Sequence, residues 1–395
     1  MKENRQNNKR IAIFGAFETE VSPTVKSIAL YLKDQNMWVE ILVYSTTNIG
    51  RNIQLNGIPI IELKPQAWRN LLNAIRSMPQ NIVGKIVRHI YARIDKAIFN
   101  PIATRIALNR LRKRLNNYEL IIAGEWYGLN DLYALGYPLS RVIYLSLEAE
   151  DQMSCSSIEK HYINELLSKC AFLIIQSEER RNGLTKYLGR DFNFEYLPVS
   201  LIPVQNKPRS IKKEEKINLI YSGYIHEYSY LKEFIAASLS SINNLVIQGQ
   251  ATGCEKYLSE IISSTKSHHN ISIINNYMDD SQHAAFLSQF DVGLALYKKM
   301  SDSSNWQGLL FSSGKIAAYL WSGLAVMTNI DHPLTKQAPF IYLPEFTPEN
   351  ISGALKKFDE QKDIYRSAAL ETARKYYNAD LYLNKIKSRI DSILC

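Results

Sequence analysis

The chain has 395 residues, 46% hydrophobic and 22% charged, a globular composition that fits two domains better than one core. Its net charge of +9 is local: eleven Lys/Arg between Gln66 and Asn116 face one acid, Asp95, a net +10 there. Four cysteines lie far apart with no C-x-x-C pair, which argues against a disulfide framework or zinc site and suits a reducing cytosol. No apolar run approaches the ~20 residues of a membrane span, and none follows the basic start as a secretory signal would.

In chain order, Arg10 to Phe17 reads as an apolar strand, and Ser22-Pro23 as a helix start with Ser as N-cap and Pro in the first turn. Val39 to Ser45 and Ile58 to Leu63 read as strands, followed by basic helices broken near Pro79 and Pro101. Strands are expected again at Glu119 to Gly124, Arg141 to Leu147 and Phe172 to Ser177, with a helix opening at Ser177-Glu178-Glu179. The Pro- and Lys-rich segment 202–216 lacks apolar periodicity and is the linker candidate. A second series starts at Ile217 and continues through Leu245 to Gly249, Ile271 to Ile274, Asp291 to Leu296, Leu324 to Met327 and Phe340 to Leu343. Strands alternating with helices imply an α/β fold with a parallel sheet in each half. The expected division is residues 1–201, the linker 202–216, residues 217–375, and a C-terminal helix at 376–395 packing back on the first domain.

The most informative stretch is Phe311-Ser-Ser-Gly-Lys-Ile-Ala-Ala-Tyr-Leu-Trp-Ser-Gly-Leu-Ala-Val-Met. It reads as a loop, a helix capped by Ser312 or Ser313, a stop at Gly323 and a buried strand. Ser312, Ser313, Gly314 and Lys315 at a helix start suit an anion, because free N–H groups and the helix dipole point the same way.

This stretch resembles the nucleotide-sugar-binding element of GT-B glycosyltransferases, particularly the retaining, family-four-like group. Phe172-Leu-Ile-Ile-Gln-Ser-Glu-Glu, Tyr196-Leu-Pro-Val, Leu219-Ile-Tyr-Ser-Gly223 and the run Asn270 to Leu296 resemble further pieces of those enzymes, in order. The resemblance implies two Rossmann-like domains facing across a cleft and transfer of a sugar, hexosyl-type and retaining, from a nucleotide sugar. It implies Lys315 as the cation for the donor phosphates, with Gly223, Tyr224, His226, Lys298 and Asn305 on the donor side. It implies no cofactor and no metal.

The pattern also departs from the family. Ala318 stands where related enzymes carry a Glu for the ribose, and Tyr224-Ile-His226 where they carry a phosphate-gripping Arg; Lys232 is offset by about a helical turn. Tyr224 and His226 could stack on a base or contact phosphate, or be ordinary turn residues. A catalytically silent GT-B accessory or glycan-binding protein is therefore the alternative.

On the acceptor side, Glu148 in Glu148-Ala-Glu150-Asp151 follows a strand and is the first choice for a catalytic carboxylate; Glu125 is the second. Trp126 suits sugar stacking, and Gly15 and Ala16 form the loop after the first strand. No histidine pair has metal-ligand spacing and no G-x-S-x-G occurs.

In the basic segment 66–116, isoleucines recur every fourth position from Ile82 to Ile106, with Arg and Lys on the remaining faces. Such a helix can lie on an anionic membrane, or pack its stripe on the domain and leave a solvated basic face. The membrane reading places the protein in the cytoplasm, peripheral on the inner face of the cell membrane, acting on a glycan or lipid-linked acceptor in surface polysaccharide synthesis. Nucleic acid is not an expected partner, since aromatic interleaving is sparse.

Overall fold

The computed structural model describes residues 9–15, 22–44, 55–64, 74, 100–147, 157–200, 216–238, 242, 244–251, 253–266, 268–276, 278, 280–299 and 305–395. Ala16, Glu148, the linker through residue 215 and most of the basic segment lie outside the described residues. The chain divides into two compact units, residues 1–197 with 380–395, and residues 198–379.

The first unit is built on a seven-stranded sheet: β1 (Arg10–Gly15), β2 (Trp38–Val43), β3 (Ile60–Glu62), β4 (Leu120–Gly124), β5 (Val142–Ser146), β6 (Phe172–Ile175) and β7 (Phe194–Tyr196). The order is β3-β2-β1-β4-β5-β6-β7, with every pairing parallel. The central strands are apolar throughout because both faces are covered: Ile11, Ala12, Ile13 and Phe14 are fully buried, as are Leu120 to Ala123.

Helix α1 (Pro23–Asp34) begins as its sequence dictates: the Ser22 side chain accepts from the Val25 amide at 3.2 Å, and Pro23 fills the first turn. Helix α2 (Asn100–Leu115) buries Ala103, Ala107, Leu111 and Leu115. The face it buries bears on the two alternatives left open for the isoleucine stripe. Ile102 and Ile106, the last two members of the isoleucine stripe, are 55% and 37% exposed, because the alanine–leucine row meets the sheet instead. The remaining helices here are α3 (Glu125–Ala134), α4 (Ser157–Lys169) and α5 (Glu178–Leu188), the last capped by Ser177, which accepts from the Arg180 amide.

The second unit carries a six-stranded parallel sheet: β8 (Asn218–Ser222), β9 (Asn244–Gln248), β10 (Ile271–Ile274), β11 (Val292–Ala295), β12 (Ala325–Thr328) and β13 (Phe340–Tyr342), in the order β10-β9-β8-β11-β12-β13. Its helices are α6 (Leu231–Ser238), α7 (Glu255–Thr265), α8 (Asp280–Leu287), α9 (Asn305–Ser312), α10 (Gly314–Trp321), α11 (Pro348–Glu360) and α12 (Lys362–Tyr376).

Gly293 has no room for a side chain, since a Cβ there would lie 2.3 Å from the Tyr319 ring. That contact presses α10 onto β11. The Tyr319 hydroxyl in turn accepts from the Ser222 amide at 2.7 Å, so α10 is locked to the carboxyl end of β8 as well.

The chain ends in α13 (Ala379–Leu394), which from Asp380 onward belongs to the first unit. Arg389 pairs with Glu195 at 3.0 Å and stacks its guanidinium 4.2 Å from the Phe172 ring centroid; Asn384 bonds the Tyr31 hydroxyl.

Candidate functional site

In an open parallel sheet, ligands bind beyond the carboxyl ends of the strands, where the order reverses direction. Each unit has one such point, between β1 and β4 in the first and between β8 and β11 in the second.

At the second point stand Gly223, just after β8, and Tyr297, two residues after β11. Gly223 has φ +144 and faces Lys315: a Cβ on it would lie 3.4 Å from Lys315 Cε. Gly249 after β9, at φ +154, crowds the same turn, and a Cβ there would sit 1.7 Å from the Gly223 carbonyl oxygen.

Lys315 lies in the first turn of α10 and is partly buried. Its Nζ donates to the Tyr221 hydroxyl at 3.0 Å and lies 4.2 Å from the Tyr221 ring centroid and 5.2 Å from that of Tyr297. Burial holds the ammonium below the ordinary lysine range, with the Tyr297 phenol partly offsetting that.

The serines differ from expectation. Ser312 ends α9, and its buried Oγ has no hydrogen-bond partner among the described residues. Ser313 occupies the N-cap position of α10, but its side chain caps nothing; it bonds the Tyr297 hydroxyl instead. The stretch between β11 and α10 is also partly helical. Asn305 and Gln307 sit in α9, because burying Trp306 and Leu310 draws that segment into a helix. Gly314 opens α10 against Val199, 3.7 Å from where its Cβ would be.

Tyr224, His226 and Tyr228 form a ladder on the loop after β8. Tyr224 and His226 stack at 5.8 Å, His226 and Tyr228 at 4.6 Å, and both tyrosines are about half exposed, at 51% and 50%. Lys298 is tied to this loop, its amide donating to the Tyr228 carbonyl at 2.9 Å. Lys232 is engaged with Glu260 at 2.6 Å.

Sequence reasoning missed Tyr221, Tyr297, Asn329 and the cluster around Ser222. The Asn329 side chain accepts from the Tyr297 amide at 3.0 Å and donates to its carbonyl at 2.8 Å. Ser222 Oγ lies 2.6 Å from both Gln248 Oε1 and His283 Nε2, and Gln248 donates to the Asn276 carbonyl. The available signal was positional: each of these residues lies within two positions of a strand's carboxyl end, except His283 on α8.

In the first unit, register places Gly15 opposite Gly124, so the turns after β1 and β4 start side by side. Glu125 opens α3 with φ +61, a left-handed conformation that costs a non-glycine residue on the order of 1–3 kcal/mol. Its Oε1 accepts from the Leu147 amide at 2.5 Å, while Arg180, only 5% exposed, donates to the Leu147 carbonyl and to Gln176. Both backbone polar groups of Leu147, the last described residue before the 148–151 acidic run, are thus held by charged side chains.

Trp126 is partly buried on α3. Its ring meets Tyr162 edge-on at 5.7 Å and 87°, packed on the core between α3 and α4. Among the described residues, no group of three or more His, Cys, Asp or Glu is placed to hold a metal ion, and no helix is long and apolar enough to cross a membrane.

No family model and no curated protein matches the sequence. Solved structures do match it along nearly its whole length. A glycosyltransferase from Rickettsia africae ESF-5 aligns at TM-score 0.64 and 15% identity, covering 98% of this chain and 99% of that one. An E. coli trehalose-6-phosphate structure bound with UDP-2-fluoro glucose aligns at TM-score 0.62 and 11% identity, covering 97% and 99%. WaaG, a glycosyltransferase involved in lipopolysaccharide biosynthesis, aligns at 0.55 and 14%, covering 96% and 98%. With two parallel-sheet units and end-to-end matches of this kind, the chain has the fold of the GT-B glycosyltransferases.

Proposed function

We propose that the protein is a glycosyltransferase that takes a nucleotide-sugar donor at the second unit's switch point and passes the sugar to a glycan or lipid-linked acceptor. The observation that carries this reading is the Lys315 ammonium, held beside Gly223 where β8 and β11 diverge. A fixed cation there meets the charge that grows on the departing nucleotide phosphate. UDP-2-fluoro glucose in a structure of the same fold supports a nucleotide sugar as the ligand class. Glu125, with Glu148 beyond it in sequence, supplies the carboxylate on the acceptor side. A retaining, hexosyl-type outcome is the reading taken from the resemblance.

The exposed face of α2 supports work at an anionic membrane surface in polysaccharide synthesis, on the cytoplasmic side. It presents Ile102 and Ile106 beside Arg105, Arg112 and Lys113, a pattern of apolar anchors among cations. Two other cations of that helix are engaged in the fold: Arg110 donates to the Leu63 carbonyl at 3.0 Å, and Arg114 pairs with Glu40 at 3.8 Å.

Ala318 favours a second reading, that of a silent accessory protein. It is 6% exposed within α10, where the resembled enzymes carry a carboxylate for the ribose. A nucleotide panel (UDP, GDP, CMP, ADP, dTDP) separates the two. A ligand at 100-fold its dissociation constant adds about 2.7 kcal/mol of stability. A shift with one nucleotide, followed by release of that nucleotide from its sugar donor when acceptor is added, supports transfer. A folded protein that answers to none of them is the accessory.

A further inference from the structure

The cation at the switch point is held in an unusual way. A lysine beside a carboxylate is fixed, but its charge is cancelled; a lysine against aromatic faces is fixed while its field remains. Lys315 is of the second kind. Among the described residues, its neighbours are the faces of Tyr221 and Tyr297 and the Tyr221 hydroxyl.

Both tyrosines are themselves tied down. The Tyr221 hydroxyl accepts from Lys315 and donates its own proton to the Tyr224 carbonyl at 2.6 Å. The Tyr297 hydroxyl meets Ser313, two residues before Lys315, and the Tyr297 backbone is clasped by the Asn329 side chain at 3.0 and 2.8 Å. The ring of contacts runs through the ends of β8, β11 and β12 and returns to the start of α10. Burial, the dominant influence on Lys315, lowers its proton affinity, in keeping with its partly buried place beside the two rings.

We propose that Tyr221 and Tyr297 are positioning residues: they hold the Lys315 ammonium at the switch point without neutralising it, ready for the phosphate groups of an incoming donor. This rests on reading the site as a donor site. The cage replaces the second cation that the loop 224–228 lacks: rigidity of one lysine does the work of two mobile ones. A lysine that is pre-oriented loses less conformational freedom on binding, which raises affinity without an added contact.

The test uses the whole chain and two probes, inorganic pyrophosphate and the nucleotide that stabilises the wild type, with its nucleoside as control. Tyr297→Leu removes one face of the cage; Tyr297→Phe restores the face and removes only the hydroxyl. Tyr221→Phe keeps its face and removes the hydrogen bond to Lys315.

Removing an aromatic face should weaken pyrophosphate and nucleotide binding about tenfold, with Tyr297→Phe recovering most of it. Tyr221→Phe should weaken both by a few-fold, and nucleoside binding should be unchanged in all three. Equal loss for nucleoside and nucleotide, or unchanged pyrophosphate binding in folded variants, overturns the cage. Wild type that binds pyrophosphate but no nucleotide, with Tyr297→Leu weakened, keeps the cage and sinks the donor reading. Wild type that binds neither sinks both.

Discussion

Gly249 and Gly223 lie so close that a single methyl group on Gly249 would penetrate the Gly223 carbonyl, 1.7 Å from its oxygen. The two turns that follow β9 and β8 can approach in this way only because both residues are glycines at positive φ. Gly249→Ala is therefore expected to destabilise the second unit by about 2–4 kcal/mol, and to displace Gly223 from Lys315. Urea denaturation reads the first effect, and nucleotide affinity the second. An unchanged midpoint would mean the turns separate freely.

Lys315→Met keeps length and removes the charge. On the proposed function it should reduce turnover by about 10²–10³, the usual cost of losing one preorganised charge-stabilising group, and leave the melting temperature within a few degrees. Comparable turnover in a folded variant would place the phosphates elsewhere.

Binding of phosphate groups should also depend on pH through Lys315. Its proton affinity is lowered by burial, with Tyr297 and Tyr221 the titratable groups facing it. The charged form binds the anion, so affinity is expected to be highest below the lowered value and to fall as pH rises through it, earlier than an ordinary lysine near 10.4 would dictate. Stability runs the other way. The unfolded chain binds the extra proton, so this group's burden on the empty protein is relieved as pH rises through the same window. Calorimetric titrations at several pH values check the first, and unfolding at matched pH the second.

Glu125 is distinguished by its backbone as much as by its carboxylate. Glu125→Gly should relieve the left-handed strain but lose the bond to the Leu147 amide, so stability changes little while activity is abolished. Glu125→Gln retains an acceptor for Leu147 and loses the charge. A carboxylate role in transfer predicts that Gln is as inactive as Gly. An active Gln variant would assign Glu125 to positioning the Leu147 peptide alone.

The cations of α2 should separate into two groups. Arg105→Glu, Arg112→Glu and Lys113→Glu together are expected to lower binding to anionic vesicles, each basic residue near the surface contributing about 1 kcal/mol, with more effect at low salt. Arg110→Ala should leave vesicle binding alone and reduce stability, because its guanidinium holds the Leu63 carbonyl. Equal vesicle binding by the triple variant would remove the membrane from the account.

Much of the architecture was legible in the sequence because it rests on short-range rules. Apolar runs such as Ile11 to Phe14 and Leu120 to Ala123 have to be strands covered on both faces, and Ser22-Pro23 and Ser177-Glu178 carry helix starts in their own side chains. The order of such elements already implied two parallel sheets. Lys315 was legible for the same reason, as a lysine one residue into a helix between a small-residue turn and a buried strand.

What surrounds Lys315 was decided only by the fold. Tyr221 and Tyr297 are 76 positions apart in the chain, and no local pattern marks them. They meet because β8 and β11 are neighbours in the sheet and diverge at their carboxyl ends. The same holds for Ile102 and Ile106 of α2, whose four-residue spacing left open whether the stripe packs on the domain or stays exposed. Periodicity says that one face of a helix is apolar. Which face meets the sheet is settled by the packing of residues far apart in sequence, here Ala107, Leu111 and Leu115 against the first unit's core.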